Sequence, residues 1–320
     1  MRKNIIIDVD TGIDDATALM LALSSPELNI LGITTVAGNV EVERASLNTL
    51  KVLEIMEKNV PVYEGANKPL VREHIAAYET HGKDGLGDVL DDSQITREIE
   101  KMSAKDFILK SLKEYEDVII VAVGPMTNIA LALKEDPNAF KNLDRIISMG
   151  GAYKAHGNCS PVAEYNYWVD PDAADYVFKN SPKKLEMVGL DVTRKIVLTP
   201  DMVKYARNFP SLKQEFLESI TKFYMDFHKS QEGTIGCVIN DPLAVMAAIF
   251  EDILKGFEAY TEVVHDGVAM GQAIVDDHDF WKREKNSIIY TEVDHDKFFL
   301  EFFDRVLNID ISKLLGKADE

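Results

Sequence analysis

Asp8, Asp10, Asp14 and Asp15 crowd into the run Asp8-Val9-Asp10-Thr11-Gly12-Ile13-Asp14-Asp15-Ala16. Carboxylates this close repel one another unless protons or a cation neutralise them. All-oxygen donors suit a hard ion, Ca²⁺ or Mg²⁺, and not zinc. Helix capping is the competing use for such residues, yet a cap needs one acid and not four. Asn39, Asn158, Glu164, Asn166, Asn240 and Asp241 follow at wide intervals. A single loop asparagine caps a turn as readily as it binds anything. Any weight they carry comes from the set.

Such side chains need elements that carry them to one place. Apolar, β-branched runs predict strands at residues 4–9, 30–36, 117–123, 145–149 and 185–190. Between them the periodicity predicts helices at 14–23, 42–56 and from about residue 126. The later part reads as more helical, at 211–229, 242–250 and 296–307. Alternating strands and helices with nearly all-apolar strands imply parallel strands covered on both faces. The expectation is a single α/β domain over residues 1–320, its mainly parallel central sheet flanked by helices. In open sheets of this kind ligands sit at the carboxyl ends of the strands. Asp8-Val9-Asp10, Gly38-Asn39, Gly124-Pro125 and Gly150-Gly151 all stand at such ends. The stretches 64–95 and 149–165 are long and irregular, as functional loops often are. Asp170-Pro171-Asp172 reads as a helix N-terminus, with a structural task.

The formal net charge is -19, a field that repels phosphate backbones and anionic membranes. Neither nucleic acid nor a membrane is therefore an expected partner. The apolar run after Met1, Arg2 and Lys3 is too short for a signal segment, and no run approaches the length of a membrane span. A cytoplasmic protein is expected. Cys159 and Cys237 form no metal knuckle or disulfide framework. The acidic run is not an EF-hand loop, because Ile13 and Leu19 stand where Gly and Glu are required. A phosphohydrolase with Asp8 as nucleophile and Asp10 as acid is a second reading, weakened by Gly12 and by the lack of a basic residue near the turn.

The acidic run resembles the N-terminal signature of the inosine-uridine-preferring nucleoside hydrolase family. Further similar motifs follow in the family's order. They are Thr35-Val36-Ala37-Gly38-Asn39, His81-Gly82-Lys83-Asp84-Gly85-Leu86-Gly87, Val123-Gly124-Pro125-Met126-Thr127-Asn128, Met149-Gly150-Gly151, Val162-Ala163-Glu164-Tyr165-Asn166, Asp170-Pro171-Asp172-Ala173-Ala174 and Asn240-Asp241-Pro242-Leu243-Ala244. The resemblance implies hydrolysis of a ribonucleoside to ribose and free base, with Ca²⁺ as cofactor. It implies Asp10, Asp15, Asp241 and the Val123 carbonyl as metal ligands, with Asp10 taking a proton from water. It assigns Asp14, Asn39, Asn158, Glu164, Asn166 and the Met149 carbonyl to the ribose, and lets His81 reach the nucleoside from its loop. It also implies a homodimer or homotetramer.

The chain departs from the pattern where the base must leave. Members of the family carry His-Asp-Pro where this chain has Asn240-Asp241-Pro242, and a Tyr at the position of His228. Asparagine is no acid, so the expectation is a rearranged pair: His228 protonates the base, Asn240 orients it, and Tyr224 supports His228 from one turn earlier. An ordinary helix-end histidine is the competing reading of His228. A non-catalytic nucleoside or ribose binder is the alternative that Asn240 makes thinkable. Which base is preferred depends on the loops and on residues 211–236, and is not legible.

Overall fold

The computed structural model describes residues 2–89 and 95–315. Eleven strands are described: β1 (Lys3–Val9), β2 (Leu28–Thr35), β3 (Val62–Glu64), β4 (Val118–Ala122), β5 (Leu143–Met149), β6 (Leu185–Val188), β7 (Val197–Leu198), β8 (Cys237–Val238), β9 (Leu254–Val263), β10 (Ala273–Asp276) and β11 (Ser287–Val293). The α-helices are α1 (Ile13–Leu23), α2 (Val42–Ile55), α3 (Tyr78–His81), α4 (Ala104–Glu114), α5 (Thr127–Glu135), α6 (Tyr165–Val169), α7 (Pro171–Asn180), α8 (Leu190–Thr193), α9 (Pro200–Ala206), α10 (Leu212–Glu232), α11 (Asp241–Ile249) and α12 (His295–Leu307).

Nine strands form one sheet in the order β10-β9-β11-β6-β5-β4-β1-β2-β3. From β11 to β3 every neighbouring pair is parallel. That is the expected class, a mainly parallel sheet with helices on both faces. One core packs α1, α2, α10, α11 and α12 on one face of the sheet, and a second packs α4, α5 and α7 on the other. Helix α1 is buried along its whole length, its first turn carrying Asp14 and Asp15 and the remainder being mostly apolar. Phe298, Phe299, Phe302 and Phe303 form the buried stripe of α12.

The C-terminal part carries the expected helices α10, α11 and α12, and adds an antiparallel extension that was not expected. Strand β9 pairs antiparallel with both β10 and β11. It alternates buried and solvated positions, a half-covered edge pattern rather than the continuous apolar run of β1 or β4.

The chain winds outward from β1 to β3, then returns to β1's other side with β4. This reversal opens a crevice at the carboxyl ends of β1 and β4, where open α/β sheets bind ligands. Asp10 follows β1 and Val123 follows β4. Sheet order alone thus brings together groups over a hundred residues apart.

Candidate active site

An open-mouthed cavity lies at this switch point. Asp14, Asn39, His81, Val123, Met149, Asn158, Glu164, Asn166, Tyr224, His228, Asn240 and Asp241 all line it. Every substrate-binding and leaving-group residue expected from the sequence is in that set. Asp10 and Asp15 lie beneath it, both fully buried.

The floor is carboxylate. Oxygens of Asp14, Asp15 and Asp241 lie within 4.8 Å of one another. Asp14 thus stands with the expected metal ligands as well as in the ribose set. Asp15 is fixed by the Asp10 and Gly12 amides, which donate at 3.1 and 2.9 Å, and by the Asn39 side-chain amide at 3.0 Å. The Asn39 backbone amide donates to Asp10 Oδ2 at 2.7 Å. Asp10 Oδ1 is buried with no partner in the protein. Glycine is required beside it: a Cβ on Gly38 would stand 2.0 Å from Asp10 Oδ2, and one on Gly124 2.8 Å from Oδ1. The two strand-end glycines therefore make room for one carboxylate.

Burial and mutual repulsion act together on these acids. Burial, then Asp15, holds the Asp10 carboxyl well above the usual range. Burial and Asp14 push Asp15 up to about 6. Asp241 is likewise raised by burial and then by Asp14, Asp15 and Asp10. Such a set, with an orphaned buried oxygen among it, fits a hard divalent cation, which supplies the missing charge.

Asp8 does not belong to this floor. Its Oδ1 accepts from Thr34 Oγ1 and, at 2.8 Å, from Asn128 Nδ2, and it does not line the cavity. Burial pushes it up to about 7. A nucleophile enclosed in this way cannot meet a phosphate, which disfavours the phosphohydrolase reading.

The walls are mostly neutral. Glu164 caps α6 by accepting from the Asn166 amide at 2.8 Å and the Tyr167 amide at 3.2 Å, and it also holds the Gly151 amide at 2.8 Å. Burial raises it to about 7. The Asn166 side-chain amide donates to the Val123 carbonyl at 2.8 Å and the Met149 carbonyl at 3.1 Å, joining the ends of β4 and β5. Asn158 Oδ1 accepts from the Tyr165 amide at 3.0 Å. Asp170 caps α7 by accepting from the Ala173 amide, the structural role expected of it.

At the opposite end, Asn240 Nδ2 donates to Asp14 Oδ2 at 2.9 Å, and the Tyr224 hydroxyl donates to the same oxygen at 3.2 Å. Asn240 Oδ1 is buried without a partner. His228 places Nδ1 3.0 Å from the Tyr224 carbonyl. A carbonyl only accepts, so Nδ1 carries hydrogen and Nε2 is left for the cavity. The rings of Tyr224 and His228 meet edge to face at 4.4 Å. His81 takes the other tautomer: Nδ1 accepts from the Ile13 amide at 3.1 Å, so Nε2 bears the proton. Burial lowers His81 to about 4, which keeps it neutral.

Three lining residues escaped the sequence reading. The Tyr165 hydroxyl reaches the carbonyls of Gly38 and Ile75, both at 2.7 Å. Glu232 lies one turn beyond His228, at the end of α10. Arg194 brings a cationic side chain to the cavity, outside the ribose set that the resemblance implies. It lines the cavity, although Nη1 and Nη2 donate to the carbonyls of His156 at 2.6 Å and Gly157 at 3.0 Å. A cation that ends up beside the cavity leaves no trace in a motif, and only the fold reveals it.

An α/β fold with a buried acidic cluster at its switch point is the framework of a metal-assisted hydrolase of small polar substrates. The family model described as inosine-uridine preferring nucleoside hydrolase matches residues 5–300, and the chain belongs to that family. It is 36% identical to uridine nucleosidase 1 of Arabidopsis thaliana over 86% of this chain and 82% of the relative. It is 35% identical to the pyrimidine-specific ribonucleoside hydrolase of Escherichia coli over 93% and 95% of the two chains. The solved purine-preferring ribonucleoside hydrolase from Gardnerella vaginalis is similar with a TM-score of 0.90 and 35% identity, covering 96% of this chain and 98% of that one. The protein is thus a glycosidase of the nucleoside hydrolase family.

Proposed function

We propose that this enzyme hydrolyses the N-glycosidic bond of purine and/or pyrimidine ribonucleosides, in a Ca²⁺-dependent reaction that releases ribose and free base. The observation that carries the proposal is the Asp14, Asp15 and Asp241 cluster, with Asp10 against Asp15, beneath a cavity lined by hydrogen-bonding side chains. Asp10, Asp15, Asp241 and the Val123 carbonyl would hold the ion. When bound, Ca²⁺ supplies a fixed positive charge that orients water and makes it more acidic.

The side chains divide the remaining work. Asp10, with one oxygen held by the Asn39 amide and the other free, accepts the proton of the attacking water. Asp14, Asn39, Asn158, Glu164, Asn166 and the Met149 carbonyl bind ribose hydroxyls, and His81 donates to the nucleoside from Nε2. The acids around the sugar stabilise the positive charge of an oxocarbenium-like transition state. His228 gives a proton from Nε2 to the departing base. Asn240, its amide spent on Asp14, orients the base through Oδ1.

The relatives include a pyrimidine-specific and a purine-preferring hydrolase at the same 35% identity, so likeness alone selects no base. We further propose that residues 1–320 act as one domain, as a homodimer or homotetramer in the cytoplasm. A monomer by light scattering would count against the assembly.

The deciding experiment strips the protein with a chelator and restores Ca²⁺. Reducing-sugar release from inosine, uridine and adenosine is then measured beside p-nitrophenyl phosphate as control. Sugar release that follows Ca²⁺, without phosphatase activity, is the expected result. Nucleoside binding without turnover would establish a binder instead.

A further inference from the structure

The C-terminal turn of α10 carries a carboxylate that the reaction, as described, does not use. Glu232 Oε2 lies 3.9 Å from His228 Nε2. Both side chains line the cavity, His228 almost fully buried and Glu232 about a third exposed. The other ring nitrogen, Nδ1, is committed to the Tyr224 carbonyl. Nε2 is therefore the nitrogen that gains or loses a proton, and Glu232 is the anion beside it.

We propose that Glu232 is the positioning residue for base protonation, holding His228 as an imidazolium with Nε2–H directed into the cavity. The inference rests on the reading of His228 as proton donor. Four other groups face this histidine. Tyr224 meets it edge to face, and Phe227 packs on it with ring centres 5.5 Å apart. His81 acts on it by charge, but burial keeps that ring neutral. Arg194 acts by charge on Glu232, while its hydrogen bonds go to the carbonyls of His156 and Gly157. Phe227 and Tyr224 carry no charge near neutral pH, so Glu232 is the anion that decides the state of Nε2 among these groups.

The step balances as follows. The C1′–N bond breaks and its electron pair goes to the base nitrogen, which takes the proton from Nε2. His228 is left neutral with Nδ1–H still on the Tyr224 carbonyl. Water adds its oxygen to C1′ and gives up a proton to Asp10, and exchange with solvent returns both residues to their starting states. A carboxylate beside an imidazole favours its charged form.

The test compares Glu232→Gln, Glu232→Asp and His228→Ala with the wild-type enzyme on inosine and on p-nitrophenyl riboside, whose leaving group needs no proton. In Glu232→Gln the alkaline fall of kcat on inosine should move down by about one pH unit, giving a roughly tenfold loss on that limb. KM should stay within about twofold, p-nitrophenyl riboside should be unaffected, and Glu232→Asp should recover part of the shift. An unmoved limb in Glu232→Gln, or equal losses on both substrates, overturns the role of Glu232. If His228→Ala meanwhile loses inosine selectively, the histidine keeps its place as donor. Undiminished inosine turnover in His228→Ala removes the donor and the proposal with it.

Discussion

Asp8 and Asp10 stand two positions apart, and the structure gives them unrelated surroundings. Asp8, still inside β1, ties that strand to Thr34 of β2 and Asn128 of α5. Asp10 lies just past the strand, where alternation of side chains no longer applies. The sequence displays the acids but not this division, because it depends on partners 26 and 120 residues away. Asp10→Asn should lower kcat by ~10²–10⁴-fold with the fold intact, since it removes the proton acceptor. A variant that keeps more than a tenth of the wild-type rate sinks that role. Asp8→Asn should instead leave Ca²⁺ affinity within about threefold and retain activity, because an amide oxygen can still accept from Thr34 and Asn128. Calorimetric titration with Ca²⁺ settles it, and loss of binding in Asp8→Asn would place Asp8 in the ion site after all. Asn240 was equally opaque: its departure from the family's histidine is plain in the sequence, but its bond to Asp14, 226 residues away, is not.

At the level of elements, β1, β2, β4, β5 and β6 were readable because each is a short apolar run, whereas the three-residue β3 and the half-solvated strands β9 to β11 were not. The stretch 64–95 was expected to lie over the nucleoside. Residues 90–94 of it fall outside the described residues, while Ala77, Thr80 and His81 do line the cavity. Among the hydrogen bonds that hold this segment are His81 to the Ile13 amide, His74 Nε2 to the Gly38 carbonyl at 2.6 Å, the Ala77 amide to the Asn39 carbonyl at 2.9 Å, and the Tyr165 hydroxyl between Gly38 and Ile75. Tyr165→Phe deletes the last of these and nothing else in the site. A buried hydrogen bond is worth about 1 kcal/mol, so KM should rise roughly fivefold with kcat nearly unchanged. Faster amide hydrogen exchange over residues 74–82 should accompany it. Unaltered KM and exchange would mean that the Tyr165 hydroxyl does not hold the segment.

For the molecule as a whole, the acidic site sits where two cores meet the sheet, and its charge is coupled to folding. Asp15 is held at about 6, and Asp8 and Glu164 at about 7. Unfolded carboxyls titrate near pH ~4, so between about pH 4 and 7 the folded, metal-free chain binds more protons than the unfolded one. Stability from these groups is full below the unfolded values and is lost as pH rises through the folded ones. A Ca²⁺ ion bound as proposed would take over the protons' part at Asp10, Asp15 and Asp241, but not at Asp8 or Glu164. The gap in Tm between Ca²⁺-loaded and chelated protein should therefore be small near pH 4.5 and widen to roughly 5 °C at pH 7 with ion in hundredfold excess over its Kd. Differential scanning fluorimetry across that range measures it directly. A gap that stays constant with pH would mean that the ion does not replace protons on these acids, and that their mutual repulsion is relieved in some other way.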